Sequence, residues 1–164
     1  MGLFSKFFKK NTIVTDIAVN KTFDNPECQN LWNLKLFMDG LLNSDKYVAK
    51  SEYLATLKEN HKTIEYFAVL ENSGLLQAFC KNNGIALSEV ERTLSNYSNF
   101  EELVDIHNND FIKRAMISEK SYLDNILADV DPVIKLDDDQ RKVVLTDEDY
   151  CLVIAGAGAG KTRQ

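Results

Sequence analysis

Apolar residues recur at three- and four-residue spacings along most of this chain, the period of helices that each bury one face. The first clear run opens at Asn25-Pro26, where asparagine suits an N-cap and proline suits the first helical position. It continues on Leu31, Leu34, Met38 and Leu41, with Trp32 predicted to anchor the packing. The spacing predicts a second helix over residues 47–58 on Tyr53, Leu54 and Leu57, and a third over 63–70 on Ile64, Phe67 and Ala68. Asn72-Ser-Gly74 punctuates the chain before a short helix from Leu75 to Lys81, which Asn82-Asn-Gly84 closes as a C-cap. Ser88-x-x-Glu91 and Asn99-x-x-Glu102 have the form of capping boxes, and each is expected to open a helix. The second of these is predicted to be long, carrying Leu103, Ile106, Phe111, Ile112, Ala115, Met116, Leu123, Ile126 and Leu127 as far as Ala128.

The pattern changes at both ends. Residues 1–10 set Leu3, Phe4, Phe7 and Phe8 beside Lys6, Lys9 and Lys10, which suits either a short helix on an anionic membrane surface or a segment whose aromatics pack on the body. The second reading is favoured, because so short a helix is marginal alone. Thr12 to Val19 are rich in β-branched residues and are expected to form a short strand. Past Ala128, Pro132 disfavours helix at Asp131, so 129–136 reads as a linker. Residues 136–144 then predict a short helix, in which Asp137-x-x-Gln140 has the spacing of a capping box. A polar turn at 146–149 leads into Tyr150 to Ile154, a continuous apolar run expected of a central parallel strand covered on both faces.

That run ends in Ala155-Gly-Ala-Gly-Ala-Gly160-Lys161-Thr162, which fits the phosphate-loop pattern [A/G]-x-x-x-x-G-K-[S/T]. The residue types follow from the chemistry. Gly156, Gly158 and Gly160, between Ala155, Ala157 and Ala159, let successive backbone N–H groups turn inward around an anion. Lys161 supplies a point charge to the β- and γ-phosphates, and the Thr162 hydroxyl is the ligand of Mg²⁺ carried by the nucleotide. A dinucleotide-binding loop is excluded, since G-x-G-x-x-G would need glycine where Lys161 stands. A kinase, transporter or GTPase fits the loop alone but gives Gln140 no task.

Composition narrows the partners. Hydrophobic residues at 45% and charged residues at 27% suit a soluble globular protein, and no apolar run reaches membrane-spanning length. A formal charge of -6 argues against broad nucleic-acid binding by these residues, which needs clustered lysine and arginine. Cys28, Cys80 and Cys151 are odd in number and far apart, and His61 and His107 add no ligand cluster, so reduced buried thiols in a cytoplasmic protein are expected. The exposed acids read as solvated faces.

Leu136-Asp-x-x-Gln140-Arg-x-x-Val144, followed by Leu152-Val-Ile-Ala-Gly-Ala-Gly-Ala-Gly-Lys-Thr-Arg163, resembles the opening of the UvrD/Rep-like superfamily 1 DNA helicases. The helical region before it, with His107-Asn108 and Tyr122-Leu-Asp-Asn-Ile-Leu127, is similar to the N-terminal extension of the DNA helicase IV group. The resemblance implies ATP and Mg²⁺ as cofactors of the full-length parent. It makes Gln140 the adenine-reading glutamine, Gly156, Gly158 and Gly160 the loop glycines, Lys161 the phosphate lysine, Thr162 the metal ligand and Arg163 the arginine that often follows. Val143 departs from the alanine common there, and Gln164 from the usual apolar residue.

The expected fold class is mainly α: a helical N-terminal extension, then the truncated start (helix, strand and phosphate loop) of a RecA-like α/β domain. The expected divisions are an N-terminal segment at 1–24, an extension domain at 25–130 that folds without the tail, and the start of the ATP-binding domain at 131–164. The function implied is the front part of an ATP-dependent DNA helicase or translocase, inactive as a piece. Such a parent meets DNA through parts beyond Gln164 and has a possible protein partner for its helical extension. The rival is a non-enzymatic helical interaction module with a remnant loop, or another class of P-loop NTPase.

Overall fold

The computed structural model describes residues 21–129 and 133–149, and every regular element among them is a helix. α1 spans Pro26–Leu42, α2 Lys50–Glu59, α3 His61–Asn72, α4 Leu76–Asn82, α5 Leu87–Ser98, α6 Phe100–Ser118, α7 Lys120–Asn125 and α8 Asp138–Leu145. The mainly α expectation holds for these residues. The segment at 1–10, the strand at Thr12–Val19, Pro132 and the strand from Tyr150 all lie outside them.

α1 starts as its sequence dictates. Asn25 is extended, and its Oδ1 accepts the N–H groups of Glu27 and Cys28 at 2.9 and 3.2 Å, just ahead of Pro26. The buried stripe of α1 is then shared between two clusters. Cys28 and Leu31 pack with Phe67 of α3, Leu76 and Cys80 of α4, Ile85, and Val90 of α5. Leu34 and Met38 pack with Val48, Tyr53 of α2, and Phe100 and Val104 of α6. Each such side chain, when fully buried, contributes about 1.5–3 kcal/mol, so α1 joins the two halves of the core, as does α3 through Ile64, which packs against both clusters. Leu41 lies at the edge of the second cluster, half-buried.

Two glycine turns shape the first half. Gly74 (φ 72°) and Gly84 (φ 67°) take the left-handed conformation that ends α3 and α4. The next amides bond back to the helices, Leu75 N–H to Leu70 O at 2.9 Å and Ile85 N–H to Cys80 O at 3.2 Å.

The structure corrects five local expectations. α2 begins at Lys50 rather than residue 47, because Val48 and Ala49 run extended into the core. The Ser88 capping box does not form: α5 starts at Leu87 with Ala86 as N-cap and no side-chain cap. Burying Ile85 and Val90 on either side sets that start, and outweighs a cap worth about 1 kcal/mol. Asn99 does separate α5 from α6, yet its Nδ2 donates back to Ser95 O at 3.1 Å and so closes α5 instead of capping α6. The long final helix breaks at Glu119, and the redirected α7 buries Leu123 completely, while Ile106 and Ile117 of α6 stay exposed. Trp32 is half-buried rather than central. Its ring meets Phe23 edge-on at 5.8 Å, with the Lys35 ammonium 4.8 Å above it.

α8 lies against α6, so the first helix of the 131–164 segment contacts the helical bundle.

Candidate nucleotide-site helix and its mounting

Gln140 is the one predicted site residue within the described part of the chain. Ala155, Gly156, Ala157, Gly158, Ala159, Gly160, Lys161, Thr162 and Arg163 lie outside it. α8 starts with the expected capping box: Asp137 Oδ1 accepts from Gln140 N–H at 2.9 Å, and Gln140 Oε1 accepts from Asp137 N–H at 3.0 Å. Gln140 is exposed, and the box engages only the oxygen of its carboxamide. Among the described residues the carboxamide NH₂ makes no hydrogen bond. The local reading of Gln140 as a capping residue is therefore correct, and a ligand-facing role is compatible with it.

The neighbouring residue ties α8 down. Arg141 donates from Nη2 to Asp124 Oδ1 of α7 at 2.6 Å and from Nε to Leu136 O at 3.0 Å. Its side chain is 13% exposed, so this is a partly desolvated, charge-assisted pair. The hydrogen bond from Arg141 holds the Asp124 carboxyl below its usual pKa. At the other end of the segment, Glu148 Oε1 accepts the Tyr47 hydroxyl at 3.1 Å, and Oε2 lies 3.4 Å from Lys50 N–H. Lys50 is the first residue of α2, whose N-cap Ala49 offers no side-chain acceptor. Glu148 therefore places a negative charge at a helix N-terminus that its own sequence leaves uncapped.

Tyr47 is pushed up to about 12, by burial first and then by the Glu148 carboxylate. The folded chain thus favours the neutral phenol over the unfolded value of 10.0. The resulting stability is complete below pH 10 and is lost as pH rises from 10 towards about 12. Tyr47→Phe is expected to remove one high-pH tyrosine from an ultraviolet tyrosinate titration and to flatten the loss of stability across that window. An unchanged titration curve would place the perturbed phenol elsewhere.

The two stretches singled out upstream have structural tasks. Asn108, 6% exposed, accepts Val48 N–H at Oδ1 (2.8 Å) and donates from Nδ2 to Val48 O (2.9 Å). His107 Nε2 lies 2.9 Å from Lys46 O. Together they hold the extended segment before α2. In the Tyr122–Leu127 stretch, Leu123 enters the core and Asp124 meets Arg141. Local spacing carries no signal for the pairings of Tyr47, Asn108, Asp124 or Glu148, since each partner is remote in sequence.

Other chemistry is sparse. Cys28 and Cys80 are free, buried thiols whose pKa is raised mainly by burial, which makes them poor nucleophiles. Among the described residues no group of three or more His, Cys, Asp or Glu is placed to hold a metal ion. No helix among them is long and apolar enough to cross a membrane. An open groove is lined by Leu42, Leu103, Ile106, His107, Asp110 and Arg114. No family model, curated protein or solved structure matches this chain.

Proposed function

We propose that this chain is the N-terminal part of an ATP-dependent DNA helicase or translocase of the UvrD/Rep-like kind. Its helical unit carries the adenine-reading helix, and residues 155–163 form the phosphate loop. The observation that carries the reading is the phosphate-loop pattern ending in Gly160-Lys161-Thr162, preceded at the family's spacing by Gln140. The exposed position of Gln140 at the first turn of a capped helix supports it.

In this reading Gln140 selects adenine, the backbone of Ala155 to Gly160 wraps the phosphates, Lys161 neutralises the β- and γ-phosphate charge, and Thr162 ligates Mg²⁺. Hydrolysis and DNA contact belong to motifs after Gln164, consistent with the net charge of -6 on this part. The protein acts in the cytoplasm, where its thiols stay reduced.

The test is nucleotide binding and DNA-stimulated hydrolysis by the full-length protein and two variants. Lys161→Ala is expected to lower ATP hydrolysis by about 10²-fold or more, the usual cost of removing one charge-stabilising group. Gln140→Ala is expected to weaken ATP by about tenfold, the value of one or two hydrogen bonds to the base, with GTP little changed. ATP binding and turnover indifferent to both substitutions would instead favour a helical interaction module.

A further inference from the structure

We infer that Asp124 and Tyr47 of the helical unit are positioning residues for base recognition, and that they act on Gln140 through Arg141 and Glu148. The inference rests on the adenine reading of Gln140 proposed above. It starts from a weakness of α8. The helix has eight residues and no fully buried side chain; only Arg141 and, near its end, Val144 and Leu145 are half-buried. An isolated helix of that length is unstable in water, and little apolar area holds this one in place. Beyond its packing against α6, its position therefore depends on polar contacts.

Those contacts sit at both ends of the segment. Near the start, Arg141, the residue after Gln140, is clamped by the Asp124 carboxylate and the Leu136 carbonyl. Past the end, just before the apolar run that leads to the phosphate loop, Glu148 is held by the Tyr47 hydroxyl and the Lys50 amide. Adjacent helical residues point about 100° apart, so seating Arg141 inward fixes the rotation that turns Gln140 outward. The partners come from two separate parts of the bundle, α7 and the segment before α2. That segment is itself locked by the Asn108 pair to Val48. A base-reading carboxamide tolerates little misplacement, since an error of about 1 Å can cost 10²-fold.

The test measures binding of fluorescent ATP and GTP analogues to the full-length protein, in parallel with thermal melts, for the parent, Gln140→Ala, Asp124→Asn, Asp124→Glu and Tyr47→Phe. Asp124→Asn is expected to cut the preference for the ATP analogue by about three- to tenfold through weaker ATP binding, with GTP affinity unchanged within about twofold. Asp124→Glu restores the preference, and Tyr47→Phe shows a smaller loss of the same kind. A purely structural role would lower both nucleotides together. If Gln140→Ala abolishes the preference while Asp124→Asn and Tyr47→Phe keep it whole, the positioning role is overturned and the adenine reading stands. If the parent has no preference, the adenine reading fails and the inference with it. Should Asp124→Asn fail to fold, Tyr47→Phe decides, because it deletes one hydroxyl and keeps the ring.

Discussion

Asn108→Ala is expected to destabilise the folded chain by about 3–5 kcal/mol, because it strands two buried groups at once. The carboxamide pairs with both the N–H and the carbonyl of Val48 at 2.8 and 2.9 Å, in a place where Val48 is fully buried and Asn108 is 6% exposed. No water can take over either bond without opening the junction between α6 and the segment before α2. Asn108→Asp is the sharper test. It keeps an acceptor for the Val48 N–H but sets a second oxygen against the Val48 carbonyl, so it should be at least as damaging at neutral pH. Acid should relieve it, since the protonated carboxyl can donate where the carboxylate cannot. Urea denaturation at two pH values measures both variants. Equal stability of the unsubstituted chain and Asn108→Asp at pH 7 would show that the Val48 carbonyl needs no donor.

Phe67→Ala is the second large effect, expected at about 3–5 kcal/mol for removal of a buried aromatic. Phe67 is fully buried where α1, α3, α4 and α5 meet, and its ring packs edge-on to Phe79 at 5.7 Å and Tyr66 at 5.5 Å. Four helices converge there, so no single backbone shift can fill the cavity. Tyr66 is the internal control. It touches the same rings but is 38% exposed, and Tyr66→Ala should cost about 1 kcal/mol or a little more, because an exposed ring has less to lose. Thermal or urea unfolding of the pair separates burial from ring contact. Equal losses would mean that the aromatic contacts, and not burial, hold this end of the core.

The helices were legible wherever local chemistry suffices. The Asn25-Pro26 start of α1, the glycine turns at 74 and 84, and the capping box of α8 each depend on bonds within a few residues, and each formed as the sequence predicts. The heptad-like stripe of α1 likewise revealed Leu31, Leu34 and Met38 as core, since a 3.6-residue period fixes which side chains share a face. The capping role of Gln140 was legible too, by its spacing to Asp137.

Tertiary structure decided the rest. Ser88 and Asn99 have the spacing of caps but do not cap, because burial of Ile85, Val90 and Phe100 sets where α5 and α6 begin, at a larger energy than a cap supplies. The break at Glu119 follows the burial of Leu123, which no periodicity reveals. α8 packs on α6 and is tied to the bundle by Asp124 with Arg141 and Tyr47 with Glu148, polar pairings that local spacing does not reveal. A helix announces its own face through its period, but a salt bridge or a two-bond amide pair between remote residues has no period at all. It exists only once the core has brought the partners within about 3 Å of each other.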